Sequence, residues 1–159
     1  MTFNTKIFYV LRMEYCFFIV DKIGKNSSKD KISLTYDQRL LRRKKLISDN
    51  GTEFIVNLPK TKSLNENQAF KLQNGHFIII KNKKENLLEI KSKNLCQLIW
   101  HIGNRHIPCD IQKNKIFIQY DQILRNMIIK LGGKVKKVFK PFKPEGGAYG
   151  IGRTHSHKH

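Results

Sequence analysis

Leu95-Cys-Gln-Leu98-Ile99-Trp-His-Ile102-Gly103 is the stretch whose reading decides the fold. Leu95, Leu98, Ile99 and Ile102 recur at i, i+3, i+4 and i+7, which puts four apolar side chains on one face of a helix. Asn94 or Ser92 can cap its start and Gly103 can end it. Upstream, no helical period persists. Residues 17–23, 31–35, 53–58, 69–72, 77–81 and 87–90 read as short strands, with Asp49-Asn-Gly51 and Asn74-Gly75 as turns. Downstream, Ile107, Cys109 and Ile111, then Ile116, Ile118 and Tyr120, alternate as two strands around a turn at Lys113-Asn114. Asp121 can cap a second helix with Ile123, Leu124, Met127 and Leu131 on its inner face and Gly132 at its end, and residues 134–139 make a final strand.

From residue 87 the order is therefore strand, helix, strand, strand, helix, strand, the split βαβ or ferredoxin-like (βαββαβ) order. Pro141, Pro144 and the glycines at 146, 147, 150 and 152 then break regular structure. The expected class is α+β. Residues 1–16 are an N-terminal extension, 17–85 an all-β N-terminal domain, 86–145 a ferredoxin-like domain, and 146–159 a flexible His-containing tail. Met13 is an alternative start.

A chain of 159 residues with 40% hydrophobic content and a mean hydropathy of −0.47 reads as a soluble globular protein. Split in two, it has thin cores, for which oligomerisation is a natural supplement. The net charge of +19 raises nucleic acid as a partner. The lysines are dispersed, however, and the one dense run is Arg42-Arg-Lys-Lys45. They accompany abundant Asn and Ile, the pattern of A- and T-rich coding, so a solvated lysine surface that helps docking onto acidic proteins is the preferred reading. Arg39, Arg42 and Arg43 could touch phosphate, and a basic nucleic-acid-binding protein with an incidental histidine tail is the alternative. Cys16, Cys96 and Cys109 form no CxxC pair, which argues against a disulfide framework and for a reducing cytoplasm. Lys6, Arg12, Glu14 and Asp21 interrupt the apolar N-terminal runs, leaving nothing near the ~20 residues of a membrane helix.

Two histidine sites carry the chemistry. His155, His157 and His159 stand on alternate residues at the end of the tail, and His106 lies in Gly103-Asn-Arg-His106-Ile-Pro108, just past the first helix. Imidazole suits nickel, zinc and copper, and a mobile tail suits catching and handing over an ion better than holding one for catalysis. Taken alone, His106 reads as a loop or capping residue and His101 as a structural histidine on the helix flank; His76, after a turn glycine, is given no role. Cys109 reads as a packed side chain rather than a thiolate, and Asp110 as a weaker oxygen ligand. No G-x-S-x-G, phosphate-binding glycine loop or HExxH is present, and only Asp110, Asp121 and Glu145 are acidic after Glu89. A metal-dependent hydrolase lacks its general base. The expected class is a carrier, not an enzyme.

Trp100-His-Ile-Gly-Asn-Arg-His-Ile-Pro108, Asp121-Gln-Ile-Leu-Arg-Asn-Met127, Leu131-Gly-Gly133 and Pro141-Phe-Lys-Pro-Glu-Gly-Gly-Ala-Tyr149, with the tail that follows, closely resemble the urease accessory protein UreE family. Leu34-Thr-Tyr-Asp-Gln-Arg39, Arg42-Arg43 and Gly51 look like that family's first domain. The resemblance covers about residues 17–159. It implies a cytoplasmic nickel metallochaperone that carries Ni(II) as cargo, with Zn(II) or Cu(II) competing. It further implies a homodimer joined through the second domains, a partner- or peptide-binding first domain, and work alongside urease apoprotein and the accessory GTPase. His106 matches the histidine that meets its counterpart at the dimer interface, to be joined by His155, His157 and His159. His101 matches an upstream histidine not principally used for metal. Tyr120 and Gln122 stand where some members carry auxiliary histidines, and the short tail argues against bulk nickel storage. Neither nucleic acid nor membrane is expected as a partner.

Overall fold

The computed structural model describes residues 13–21, 23 and 30–146. The N-terminal extension before Met13 and the tail histidines His155, His157 and His159 lie outside the described residues. Among the described residues ten strands and two helices are arranged on two sheets, a mixed α+β fold. The first sheet holds β1 (Glu14–Val20), β2 (Asp30–Leu34), β3 (Leu40–Ile47), β4 (Glu53–Ser63), β5 (Ala69–Leu72) and β6 (Phe77–Asn82), in the order β2-β6-β5-β1-β4-β3. β1 runs parallel to β4 and β2 parallel to β6, and the other pairs are antiparallel.

This sheet curls until its two edges meet. Asp49, just past β3, donates its N–H to the Lys31 carbonyl of β2 at 2.8 Å and accepts from the Ser33 hydroxyl at 2.8 Å. Ser48 and Thr52 donate their hydroxyls to Asp30 Oδ2 at 2.6 and 2.8 Å. Burial opposes ionisation of Asp30, but these hydrogen bonds outweigh it and leave the carboxyl below its usual range. Phe54, Val56, Phe70, Ile78 and Ile80 fill the curl from alternate positions, each contributing roughly 1.5–3 kcal/mol by leaving water.

Two strands depart from the sequence reading. β1 starts at Glu14 and pairs Glu14, Tyr15 and Cys16 with Phe54, Ile55 and Val56. β3 was hidden because its centre is Arg42-Arg-Lys-Lys45, and a bulge between Leu41 and Arg43 breaks its alternation. It is an edge strand, where a row of charges blocks pairing with other chains. Arg43 Nε donates to Asn57 Oδ1 at 2.9 Å and Lys45 pairs with Glu53 at 2.6 Å, so half of that basic run is engaged within the sheet.

The second sheet holds β7 (Lys84–Lys91), β8 (Asp110–Gln112), β9 (Lys115–Gln119) and β10 (Lys134–Pro141), in the order β10-β7-β9-β8 with every pair antiparallel. Helices α1 (Leu95–Gly103) and α2 (Gln122–Lys130) cross between them and pack Leu98, Ile102 and Ile128 onto Leu88, Ile90, Ile116 and Ile118. The α1 stripe is the one its spacing predicts. Asp121 caps α2 by accepting the Leu124 N–H at 2.7 Å. The Asn94 side chain makes no cap bond; its N–H donates instead to Ser92 Oγ at 3.1 Å. On α2 Leu124 and Met127 pack inward as expected and buried Ile128 joins them, whereas Ile123 is 78% exposed and Leu131 exposed. β8 is shorter than the alternation of Ile107, Cys109 and Ile111 predicts. Pro108 supplies no N–H for a ladder, and Ile107 is used to close the end of α1.

The two sheets touch through a third apolar cluster, Tyr36, Leu87, Phe117 and Phe142, with Val138 against it. Hydrogen bonds ring it: Tyr36 N–H to Glu85 Oε1 at 2.8 Å, and Gln119 Nε2 to Asp37 Oδ2 and Glu85 Oε2 at 3.0 Å each. No helix among the described residues is long and apolar enough to cross a membrane.

Candidate metal centre

The end of α1 places His106. Ile107 N–H donates to the Ile102 carbonyl at 3.4 Å and His106 N–H to the Gly103 carbonyl at 2.8 Å. That pair of bonds, spanning six and four residues, is the Schellman closure of a helix. It requires a left-handed residue at the position after the cap, and His106 occupies it with φ +55°. Glycine is the usual occupant, because a side chain there costs roughly 1–2 kcal/mol. Ile107, packed against the cluster that contains Ile102, supplies the apolar contact that accompanies this motif. Arg105 Nη1 donates to the His101 carbonyl at 2.9 Å and holds the turn from outside. The imidazole is thus carried on an exposed, tightly bonded turn.

The other sequence candidates are spread apart in role. His101 is half-buried and meets the Trp100 ring edge-on at 5.0 Å, which is a packing role. His76 sits exposed in the turn before β6, its N–H on Asn74 Oδ1 at 2.9 Å. Burial pushes the Cys109 thiol up to about 11, so at neutral pH it is a protonated, packed side chain and not a thiolate ligand. Asp110 is buried and accepts from Gln112 Nε2 at 3.2 Å. Tyr120 donates its hydroxyl to Gln122 Oε1 at 2.8 Å, with Lys137 Nζ 4.7 Å from the ring centre. Among the described residues no three His, Cys, Asp or Glu side chains come together to hold an ion. Within them, His106 can offer one ligand.

Three residues missed by the sequence reading sit where the tail departs. Arg39, read there as a surface base for phosphate, is 6% exposed. Its Nη2 donates to the Phe142 carbonyl at 2.6 Å, and its guanidinium lies 5.5 Å from the Tyr36 ring centre. Phe142 is fully buried and meets Tyr36 edge-on at 5.3 Å. Glu145 N–H then donates to the Cys109 carbonyl at 2.8 Å, three residues from His106. No periodicity marks such contacts, which join residues more than a hundred positions apart in the case of Arg39 and Phe142.

Comparison with known proteins completes the picture. The family model described as UreE urease accessory protein, N-terminal domain, matches residues 20–82, and that of the C-terminal domain matches residues 85–159. The urease accessory protein UreE of Ruegeria pomeroyi is 45% identical over 134 residues, spanning 84% of this chain and 90% of its own length. That of Rhodobacter capsulatus is 41% identical over 136 residues, 86% of each chain, and that of Ruegeria sp. 44% identical over 129 residues, 81% and 73%. Two domains matched in tandem, in relatives all named for an accessory role, define an accessory protein rather than an enzyme. The chain belongs to the UreE urease accessory protein family, and its role lies in urease maturation.

Proposed function

We propose that this protein is a nickel-binding metallochaperone that delivers Ni(II) for assembly of the urease active site. The observation that carries the reading is His106, an imidazole kept at a left-handed helix closure where glycine would be the easier residue. Backbone strain held at an exposed turn is characteristic of functional positions. One imidazole is an incomplete shell for an ion that commonly takes four to six ligands. A homodimer built about His106 doubles it, and His155, His157 and His159 of the tail complete it. Trp100, 64% exposed on the helix whose closing turn carries His106, supports a covered surface there. The strand order of the second sheet supports the ferredoxin-like fold for the domain at 86–145 that dimerises and binds metal. The all-β domain at 17–85 serves partner docking, to urease apoprotein and to the accessory proteins including the GTPase. Such a site, open and shared, releases its ion by ligand exchange to a partner, and the surroundings are cytoplasmic. Zn(II) and Cu(II) compete for the same imidazoles.

The test is calorimetric titration of Ni(II) into the wild-type protein and His106→Ala, with light scattering on both. The tightest phase should vanish in the variant while circular dichroism is unchanged. Deleting residues 151–159 should lower the number of ions bound and leave the dimer intact. An unchanged tight phase in His106→Ala would remove the assignment. Nucleic-acid binding that collapses with salt and ignores nickel would favour the basic-protein reading instead.

A further inference from the structure

The turn that carries His106 differs from its counterpart at the end of α2 by one carbonyl. At α2 the carbonyls of Met127, Ile128 and Ile129 accept from the N–H groups of Leu131, Gly133 and Gly132 at 3.0, 2.9 and 3.0 Å. The matching carbonyls at α1 are those of His101, Ile102 and Gly103. Ile102 accepts twice, from Arg105 at 3.1 Å and Ile107 at 3.4 Å, and Gly103 accepts from His106 at 2.8 Å. The Arg105 N–H has moved forward by one residue, so among the described residues no backbone N–H reaches the His101 carbonyl. A helix-end carbonyl left in this way needs another donor. The Arg105 side chain supplies it, through Nη1 at 2.9 Å.

Residue type and position suit the task. Arg105 stands four residues after His101, a spacing that brings the two together on a helix, and a guanidinium is favoured at the negative end of the helix dipole. Among the described residues it pairs with no carboxylate, so the carbonyl holds it undisputed. On the far side of the turn, Pro108 restricts Ile107 to extended backbone, and Ile107 packs against the core of the second domain. The turn is therefore fixed at its exit by packing and at its entry by Arg105. Between them stands His106 at φ +55°. A side chain in the left-handed region persists only where its surroundings over-determine the backbone, and Arg105 is the adjoining residue that does so.

We infer that Arg105 is a positioning residue for His106: by donating to the His101 carbonyl it keeps the last turn of α1 closed and holds the imidazole on the backbone from which it ligates. This rests on the reading of His106 as a nickel ligand and adds to it a residue that touches no metal. It also fixes the sign of an effect. A guanidinium beside a cation site repels the ion, so on charge alone its removal tightens nickel binding. On positioning, its removal weakens nickel binding.

The experiment compares Arg105→Met, which keeps an unbranched stem and loses donor and charge, with Arg105→Lys, which restores both. Each is made in the full-length protein and again in His106→Ala. Calorimetry with Ni(II) gives the affinity, amide hydrogen exchange at Ile107 reads the bond that closes the turn onto Ile102, and thermal melts check the fold. Arg105→Met should bind nickel about twofold to tenfold more weakly, the range one hydrogen bond allows, with faster exchange at Ile107. Arg105→Lys should recover most of both. The weaker binding that remains in His106→Ala should not respond to either substitution. Tighter binding by Arg105→Met would show that Arg105 acts only as a charge, and faster exchange with unchanged affinity would make it a helix cap with no bearing on the site. No change in either measurement would mean that water serves the His101 carbonyl equally well. Each of these three results overturns the inference and leaves the nickel reading standing. If His106→Ala itself binds nickel as tightly as wild type, the reading of His106 falls and the inference falls with it.

Discussion

The two helices of the second domain end in the same way with different residues. At α2, Gly133 N–H donates to the Ile128 carbonyl at 2.9 Å and Gly132 N–H to the Ile129 carbonyl at 3.0 Å, and the left-handed position is Gly132 at φ +81°. At α1 the equivalent bonds run from Ile107 and His106, and the left-handed position is His106 at φ +55°. Both helices have nine residues and both pack on the same core. At α2 the chain takes the residue that backbone sterics favour, and the next residue, Gly133, is buried where a Cβ would lie 2.5 Å from Ile128 Cγ2 and 3.0 Å from Leu98 Cδ1. At α1 it accepts strain and places an imidazole on the surface. At the left-handed position itself α2 follows backbone sterics with Gly132, whereas α1 carries His106 against them.

The contrast can be broken at its tightest point first. Gly133→Ala should cost about 1–3 kcal/mol, because Ile128 and Leu98 must shift to admit a methyl group. Urea denaturation measures it, and a loss under 0.5 kcal/mol would mean that the core at α2 yields more easily than its contacts indicate. Gly132→His, which copies the α1 ending onto α2, comes next. A Cβ there meets nothing within 4 Å, so its cost is backbone strain alone, about 1–2 kcal/mol. The melting point should fall by roughly 2–8 °C. No change would show that a left-handed histidine is free in this context, and the functional argument from His106 would lose its footing.

A smaller effect distinguishes the thiols around α1. Cys96 is exposed near its start, whereas Cys109 and Cys16 are buried, and burial raises both buried thiols above their ordinary value, Cys109 to about 11. One thiol per chain should react quickly with an aromatic disulfide at pH 8. The native state holds Cys109 protonated while the unfolded chain ionises, so its contribution to stability is complete below about pH 9 and is lost as pH rises toward about 11. Cys109→Ala should flatten that part of the pH profile. A profile identical to wild type would place the alkaline loss elsewhere.

Much of this architecture was legible because hydrophobic period reports burial directly. The Leu95, Leu98 and Ile102 stripe, the Asp121 cap and the strand at Ala69–Leu72 stand where spacing puts them. β3 was illegible because exposed charges on an edge strand erase alternation, and on α2 the expected inner face fails only at its two ends, where Ile123 and Leu131 are exposed. The candidate site divides in the same manner. His106 declares itself by residue type and by its place after a helix, but its left-handed backbone cannot be read from the letters, since Gly103 is the residue that looks like the stop. Arg39 and Phe142 are invisible to any local pattern, because a buried hydrogen bond to a carbonyl leaves no periodic trace.

His106→Gly tests the central claim most directly, with the melting point and the nickel titration measured on the same preparation. Glycine relieves about 1–2 kcal/mol of left-handed strain against about 0.4–1 kcal/mol for a freer unfolded chain. The protein should therefore gain about 0.5–1 kcal/mol and melt about 1–4 °C higher, while its tightest nickel phase disappears. A variant that melts lower than wild type and still binds nickel as tightly would show that His106 is there to close the helix, and would contradict the account.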